Sequence, residues 1–415
     1  MSLLFYKLFL LFYRVGIAIT SLWNSKAQKW IKGRKEIFSK IASSLGNNES
    51  EVLWMHCSSL GEFEQGRPVL EKIKNKYPGI KIFLTFFSPS GFEIKKDYNY
   101  ADWVFYLPLD SKKAATRFLD LVKPSLVVFV KYEYWYYYLA ECKKRNIPLL
   151  MISAIFRKEQ VFFKWYGTFY RNMLTFFTHI FVQDIFSKNL LDQFKIENTD
   201  VAGDTRFDRV IEIADNFKPI ELVENFIGDS KVLVCGSTWQ GDEKIIKDAM
   251  RGVAHLKLII APHEVHKDHI DQLRSRFSGA ICYSELSDQK EYMASILIVD
   301  NIGLLSRLYH YASITYVGGG FNKGIHNTLE AAVHGKPVLF GPNYSKFKEA
   351  QDLISSGGGI SINSASKFSV LLQKLLNTPE EIERMGKLAK DLVSHYKGAT
   401  KKIVNYIEEN RLLTS

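Results

Sequence analysis

From about residue 50 onward the chain repeats one pattern. Short runs that are apolar at nearly every position alternate with longer stretches whose apolar residues recur every three or four positions. The continuous runs in the first half are residues 52–57, 80–85, 103–107, 125–130, 148–153 and 180–183. Between them the helical spacing predicts helices through residue 76, from 88, over 111–122 and over 134–145, and an aromatic-rich helical stretch over 162–178. A second series of runs covers residues 232–235, 256–261, 296–299, 314–317 and 338–340. Uninterrupted apolar strands separated by helices predict parallel sheets covered on both faces, which is an α/β fold. The pattern loosens around Phe217-Lys218-Pro219, so a hinge is expected near residues 208–220. A chain of 415 residues is too long for one ordinary core. The expected division is an N-terminal helix with a basic flank (1–35), a first domain (36–212) and a second domain (213–415). The last helix, near residues 398–413, can pack back on the first domain.

The N-terminus departs from this alternation. Residues 3–23 are mostly apolar and aromatic, interrupted by Lys7 and Arg14 on one helix face, and are followed by Lys26, Lys29, Lys32, Arg34 and Lys35. No small-x-small cleavage signal precedes the basic cluster, and two charges in so short a stretch weigh against a spanning helix. A helix lying in the interface of an anionic membrane fits the aromatics and the positive flank. A core helix of the first domain is the alternative.

Composition narrows the class. A hydrophobic content of 47% excludes a disordered chain, and the net charge of +11 favours a polyanionic partner. No basic repeat, zinc-ligand spacing or RNA-binding aromatic signature is present, which favours a membrane or a phosphorylated substrate over nucleic acid. Cys57, Cys142, Cys235 and Cys282 are scattered, as expected of reduced thiols in a cytoplasmic setting.

Candidate chemistry sits at strand ends. After the run 313–317, Gly318-Gly319-Gly320 leads into His326-Asn327-Thr328-Leu329-Glu330, with Gly335 and Pro337 before the next strand. This reads as a phosphate cradle, with Asn327 capping a helix and Glu330 placed to bond ribose hydroxyls. The spacing Asn327-x-x-Glu330 is also a capping box, which needs no ligand. Pro262-His263 and Ile302-Gly303-Leu304 follow other strands of the same half, where doubly wound sheets bind ligands. A lone loop histidine such as His263 is more often solvated. In the first half, Glu62 follows the first strand and Glu133 the fourth. Glu62 can accept a proton from an attacking hydroxyl, or serve only the capping box Ser59-x-x-Glu62. Glu133 can act on a reacting group or pair with Lys131 or another nearby base. Arg206 can neutralise a leaving phosphate or pair with Asp204 or Asp208. No metal-ligand cluster is visible.

Read in order, these segments resemble the Kdo transferases, the 3-deoxy-D-manno-octulosonic acid transferases of lipopolysaccharide synthesis. The resemblance is carried by His56-Cys57-Ser58-Ser59-Leu60-Gly61-Glu62, Thr85-Phe86-Phe87-Ser88-Pro89-Ser90-Gly91, Glu133-Tyr134-Trp135, Gly318-Gly319 with His326-Asn327-x-Leu329-Glu330, and Gly341-Pro342 with Phe347-Lys348. It implies a GT-B glycosyltransferase: two Rossmann-like domains facing a central cleft, preceded here by a membrane-anchoring helix. It further implies CMP-Kdo as donor, a lipid A precursor as acceptor and the cytoplasmic face of the inner membrane as location, with no nucleic acid and no cofactor. By the same resemblance Glu62 is the general base, Glu133 and Arg206 assist the transition state, and Pro262, His263, Ile302, Gly303, Leu304, Asn327, Thr328, Leu329 and Glu330 bind CMP. The chain departs from the family at His263 (Arg in the family), Leu304 (Glu), Thr328 (Pro), Lys131 (Glu) and Arg206 (Lys). Leu304 can contact CMP through its backbone alone. Another GT-B transferase using a UDP-sugar, or a lipid-binding relative without donor chemistry, are the competing readings.

Overall fold

In the computed structural model, which describes residues 3–287 and 294–414, every continuous apolar run named above contains a strand. The strands are β1 (Val52–Cys57), β2 (Lys81–Phe86), β3 (Trp103–Tyr106), β4 (Leu126–Val130), β5 (Leu149–Ala154), β6 (His179–Val182) and β7 (Thr199–Val201), then β8 (Lys231–Thr238), β9 (Leu256–Pro262), β10 (Ile281–Cys282), β11 (Ile296–Ile298), β12 (Ile314–Val317), β13 (Val338–Phe340) and β14 (Gly359–Ser361). They form two 7-stranded sheets, ordered β3-β2-β1-β4-β5-β6-β7 and β10-β11-β9-β8-β12-β13-β14. Their paired strands are parallel, β1 lying between β2 and β4, and β8 between β9 and β12. Both sheets are parallel, as the alternation predicts, and Rossmann-like, as the resemblance implies.

Contacts divide the chain into two units. One comprises the residues up to Asp208 together with those from Gly398, and the other is Arg209–Lys397. The division falls inside the helix Thr205–Asp215, at the early edge of the expected hinge. The last helix, Ala399–Glu409, packs Ala399, Ile403, Val404 and Ile407 into the first unit's core beside Val69, Leu70 and Ile73. Asp208 holds its start: one carboxylate oxygen accepts the Gly398 N–H at 2.6 Å and the other the Thr400 N–H at 2.6 Å, a charge suited to a helix N-terminus.

Two differences from the sequence reading have physical causes. The stretch 162–178 is not one helix but a 3₁₀ turn, Val161–Phe163, and a short helix, Thr168–Leu174. At Gly167 the chain passes so close to the Val161 carbonyl that a Cβ would overlap it, a doubling-back that a continuous helix does not permit. The unexpected strands β7, β10 and β14 all lie at sheet edges and span three residues or fewer. An edge strand is covered less completely than a central one, so its sequence lacks the uninterrupted apolar run.

The first helix, Leu3–Thr20, is long and apolar enough to cross a membrane by length and composition. Tyr6 and Leu10 are buried against the first unit, whereas Leu4, Phe5, Leu8, Phe9, Leu11, Phe12, Val15 and Ile19 are exposed. Tyr6 donates to Asp110 Oδ2 at 2.6 Å, and Asp110 also accepts the Tyr137 and Tyr138 N–H groups. Burial raises the Asp110 carboxyl to about 6 in spite of those donors. Of the basic flank, Lys26, Lys29, Lys32 and Lys35 are exposed. Arg34 instead turns inward, donating to the Leu107 and Phe87 carbonyls with its guanidinium 3.8 Å from the Trp30 ring centre.

Candidate active site

In β1, Trp54 and His56 point to the opposite side from Leu53, Met55 and Cys57, as strand alternation requires. His56 pairs in register with Thr85 of β2 on one side and Phe129 of β4 on the other. Its imidazole is fully buried. Nδ1 lies 2.9 Å from Thr85 Oγ1 and 3.2 Å from the Thr85 carbonyl, while Nε2 lies 2.9 Å from Glu133 Oε2. The same Glu133 oxygen accepts the Trp135 indole N–H at 2.6 Å, and the Trp54 indole donates to Thr85 Oγ1 at 2.8 Å. Glu133 therefore has a base as partner, but from β1, 77 residues away. Phe87, in the loop after β2, stacks on Trp135 at 4.5 Å, and Tyr13 of the first helix lies 5.8 Å from Phe87. Aromatic contacts thus run from the first helix to the loop that carries Glu133.

Glu62 stands on the first turn of the helix Leu60–Lys76. Its Oε2 accepts the Ser59 N–H at 3.0 Å and the Ser59 hydroxyl, so the capping box forms. Glu62 is half-buried. It and Glu133 share a neighbour: burial raises the Cys57 thiol well above its ordinary value, and the charges of Glu62 and then Glu133 raise it further.

Arg206 is joined to Asp204, with Nε 2.8 Å and Nη2 2.7 Å from Oδ2 and its backbone N–H 2.9 Å from Oδ1. Burial alone would raise the Asp204 carboxyl, but the Arg206 charge and hydrogen bonds bring it below the usual range. Gln65, one turn beyond Glu62, donates to Asp204 Oδ1 at 3.2 Å, and Thr205 Oγ1 donates to the Gln65 carbonyl at 2.5 Å. Glu62 and the Arg206–Asp204 pair are thereby referenced to the same helix.

The strand ends of the second unit are built differently. A Cβ on Gly318 would overlap the Ser237 carbonyl, one on Gly319 the Gly324 carbonyl, and one on Gly320 would lie 2.5 Å from Gly341 Cα. Gly319 also takes φ +91°. Contact of main chain with main chain is by itself enough to require these glycines. Asp242 clamps the loop: buried, it accepts from Gly319 N at 2.8 Å, Trp239 N at 3.0 Å and the Tyr316 hydroxyl at 2.7 Å.

Of the expected CMP-binding residues, Pro262 ends β9 and His263 follows it, its N–H bonded to the Thr238 carbonyl. The His263 ring stacks on both Trp239, 4.7 Å away, and His326, 4.3 Å away, which lie side by side. Trp239 donates to His326 Nε2 at 2.9 Å, so that nitrogen accepts. Burial, then the neighbouring His263, lowers His326 to about 4, and burial lowers His263 as well. Ile302 is 86% exposed, Gly303 has φ +102° and Leu304 begins the short helix Leu305–Leu308. Asn327 accepts the Leu329 N–H at 3.2 Å and donates to Glu330 at 3.1 Å, at the start of a helix of four residues, Leu329–Ala332. Thr328 is buried. Glu330 lies near Tyr309, whose hydroxyl it pushes further up after burial. A hollow of about 440 Å³ opens beside the stack, lined by Trp239, Gln240, Glu264, His266, Phe321 and Asn322 among others. Trp239 and Asp242 were not among the expected site residues, and the spacing Trp239-x-x-Asp242 was their available signal; His326 was named only within the glycine-loop motif. Among the described residues, no three His, Cys, Asp or Glu side chains gather as a metal site.

Comparison with known proteins bears out the resemblance. Residues 32–209 match the family model described as 3-deoxy-D-manno-octulosonic-acid transferase (kdotransferase). The 3-deoxy-D-manno-octulosonic acid transferase of Aquifex aeolicus is 27% identical over 80% of this chain and 88% of its own length. That of Haemophilus influenzae is 24% identical over 86% of this chain and 88% of its own. A bifunctional glycosyltransferase/methyltransferase of Fusobacterium nucleatum is 27% identical over 88% of this chain, which spans only 56% of that relative. Among solved structures, a UDP-GlcNAc 2-epimerase from Neisseria meningitidis superposes with a TM-score of 0.62 at 17% identity, over 86% of this chain and 100% of that one. Acinetobacter baumannii MurG superposes with 0.53 at 13% identity, over 87% and 99%. These two show a shared GT-B-type fold.

Proposed function

We propose that the chain is a membrane-associated glycosyltransferase that moves Kdo from CMP-Kdo to a lipid A precursor with inversion at the anomeric carbon. The observation that supports this most is the placement of Glu62 and Glu133 after the neighbouring strands β1 and β4, within the segment that matches the Kdo transferase family. In this reading an acceptor hydroxyl oxygen attacks the anomeric carbon of Kdo while that carbon's bond to the CMP phosphate oxygen breaks. Glu62 takes the hydroxyl proton. Glu133 offsets positive charge building on the sugar, and Arg206 offsets negative charge on the departing phosphate. CMP is bound by Pro262, His263, Ile302, Gly303, Leu304, Asn327, Thr328, Leu329 and Glu330. Burial lowers both His263 and His326, which favours uncharged rings before CMP arrives. The reaction balances without a cofactor. The exposed apolar face of the first helix and the lysines after it suit the cytoplasmic surface of the inner membrane, where the acceptor lipid lies.

The test is transfer by the full chain in detergent, with CMP-Kdo generated in situ, tetraacyl lipid A precursor as acceptor and product mass as readout. A gain of one or more Kdo units is expected. Folded protein that is thermally stabilised by CMP but makes no product would overturn the acceptor. Stabilisation by UDP and not CMP would overturn the donor.

A further inference from the structure

We propose that His56 is the positioning residue of Glu133, donating a hydrogen bond from Nε2 that fixes the carboxylate's orientation. This rests on the reading of Glu133 as a catalytic residue. The direction of each bond follows from what each group can do. An indole N–H only donates, so Thr85 Oγ1 accepts from Trp54 and keeps its own hydrogen to give. Two acceptors stand within reach of that hydrogen, His56 Nδ1 at 2.9 Å and the Met55 carbonyl at 3.4 Å. Nδ1 also lies 3.2 Å from the Thr85 carbonyl, which only accepts, so the Thr85 contacts alone do not place the ring hydrogen. The Glu133 contact does: a carboxylate oxygen at 2.9 Å requires a hydrogen on Nε2, because a lone pair there would be repulsive. Nε2 then donates to Glu133, which Trp135 meets with a second N–H, from its indole.

A buried imidazole–carboxylate pair gains little stability over apolar side chains of the same volume, whereas breaking it strands a buried charge. Stability is therefore a weak reason for His56 to occupy a central strand, and orientation of Glu133 a better one. The register of β1 with β2 and β4 presents one nitrogen to Thr85 and the other to the Glu133 loop.

The test compares Kdo transfer by the full-length wild type, His56→Leu, His56→Gln and Glu133→Gln, each checked for folding by thermal unfolding. His56→Leu is expected to lower kcat roughly 10- to 100-fold, the scale on which outer hydrogen-bond partners act, with KM for CMP-Kdo nearly unchanged. His56→Gln, whose amide can still donate to Glu133, should recover most of that loss. Folded His56→Leu with kcat within about threefold of wild type, or His56→Gln no better than His56→Leu, would overturn the proposal. If folded Glu133→Gln turns over normally, the reading of Glu133 itself is wrong. If only Glu133→Gln is impaired, the reading stands and the proposal falls. Should the variants unfold, ¹⁵N NMR of the wild-type imidazoles decides: His56 is expected to carry a hydrogen on Nε2, and a bare Nε2 would refute the idea.

Discussion

Beside the ends of β1, β2 and β4, side chains from two strands and one loop meet: Trp54, His56, Thr85, Glu133 and Trp135 are joined by hydrogen bonds of 2.6–2.9 Å. At the ends of β8, β12 and β13, main chain lies against main chain, and Gly318, Gly319, Gly320 and Gly341 are there because a Cβ would not fit. The first arrangement is made by side chains and the second largely by their absence. A side-chain network can keep its shape and lose its chemistry when one member is altered. A glycine-built loop loses its shape when anything is added.

The largest effect expected from this contrast is in the first unit. Glu62→Gln should reduce kcat by roughly 10²- to 10⁴-fold. Its unfolding midpoint should not move, because Gln serves a capping box as well as Glu. Near-normal turnover would remove Glu62 from the role of base. In the second unit the expected response is the reverse, structural before chemical. Gly320→Ala should cost about 1–3 kcal/mol by overpacking against Gly341, and CMP binding should weaken with it. Unchanged stability and CMP affinity by calorimetry would show that the loop yields.

The first helix repeats the contrast on a smaller scale. Phe12, 69% exposed, should be replaceable by Asp without loss of stability, while binding to anionic vesicles falls roughly tenfold or more as its apolar burial is lost. Tyr6→Phe removes one donor from buried Asp110 and should cost about 1 kcal/mol in denaturant unfolding, with vesicle binding unchanged. If the two substitutions gave the same outcome, the helix would not have two working faces.

The smallest effect is in pH dependence, where the units should move in opposite directions. His326 and His334 are each lowered from 6.5 to about 4, first by burial. Between those values the unfolded chain binds more protons, so their contribution to stability is lost as pH falls from 6.5 toward 4. Asp110 is raised from 3.8 to about 6, again first by burial. Between those values the native state binds more protons, so its contribution grows as pH falls from 6 toward 3.8. Peptide-resolved hydrogen exchange, corrected for intrinsic rate, should show protection around β12 declining on acidification relative to the segment around Asp110. Parallel decline in both would contradict these assignments.

Much of the fold was legible in the sequence because a strand buried on both faces is apolar at every position, and such runs placed the central strands of both sheets. The carboxylates after β1 and β4 were legible as positions, and motif order identified the family they resemble. Their partners were not. Nothing near Glu133 in sequence points to His56, since only the adjacency of β1 and β4 brings the two together. The stack of Trp239, His263 and His326 and the Asp242 clamp were hidden for the same reason, each joining residues from different strand ends. The glycine loop was visible as a motif, but whether its glycines face a ligand or a neighbouring strand depends on what lies across from them.

By itself, then, the sequence determined what the covered central strands and most helices become, because helix and strand periodicities are local and a few residues suffice to express them. Only the tertiary structure decided which nitrogen faces Glu133, which carboxylate takes the Gly319 amide and which face of the first helix is left bare. Those outcomes depend on the order and register of strands distant in the chain, and a hydrogen bond exists only where that order brings donor and acceptor within about 3 Å.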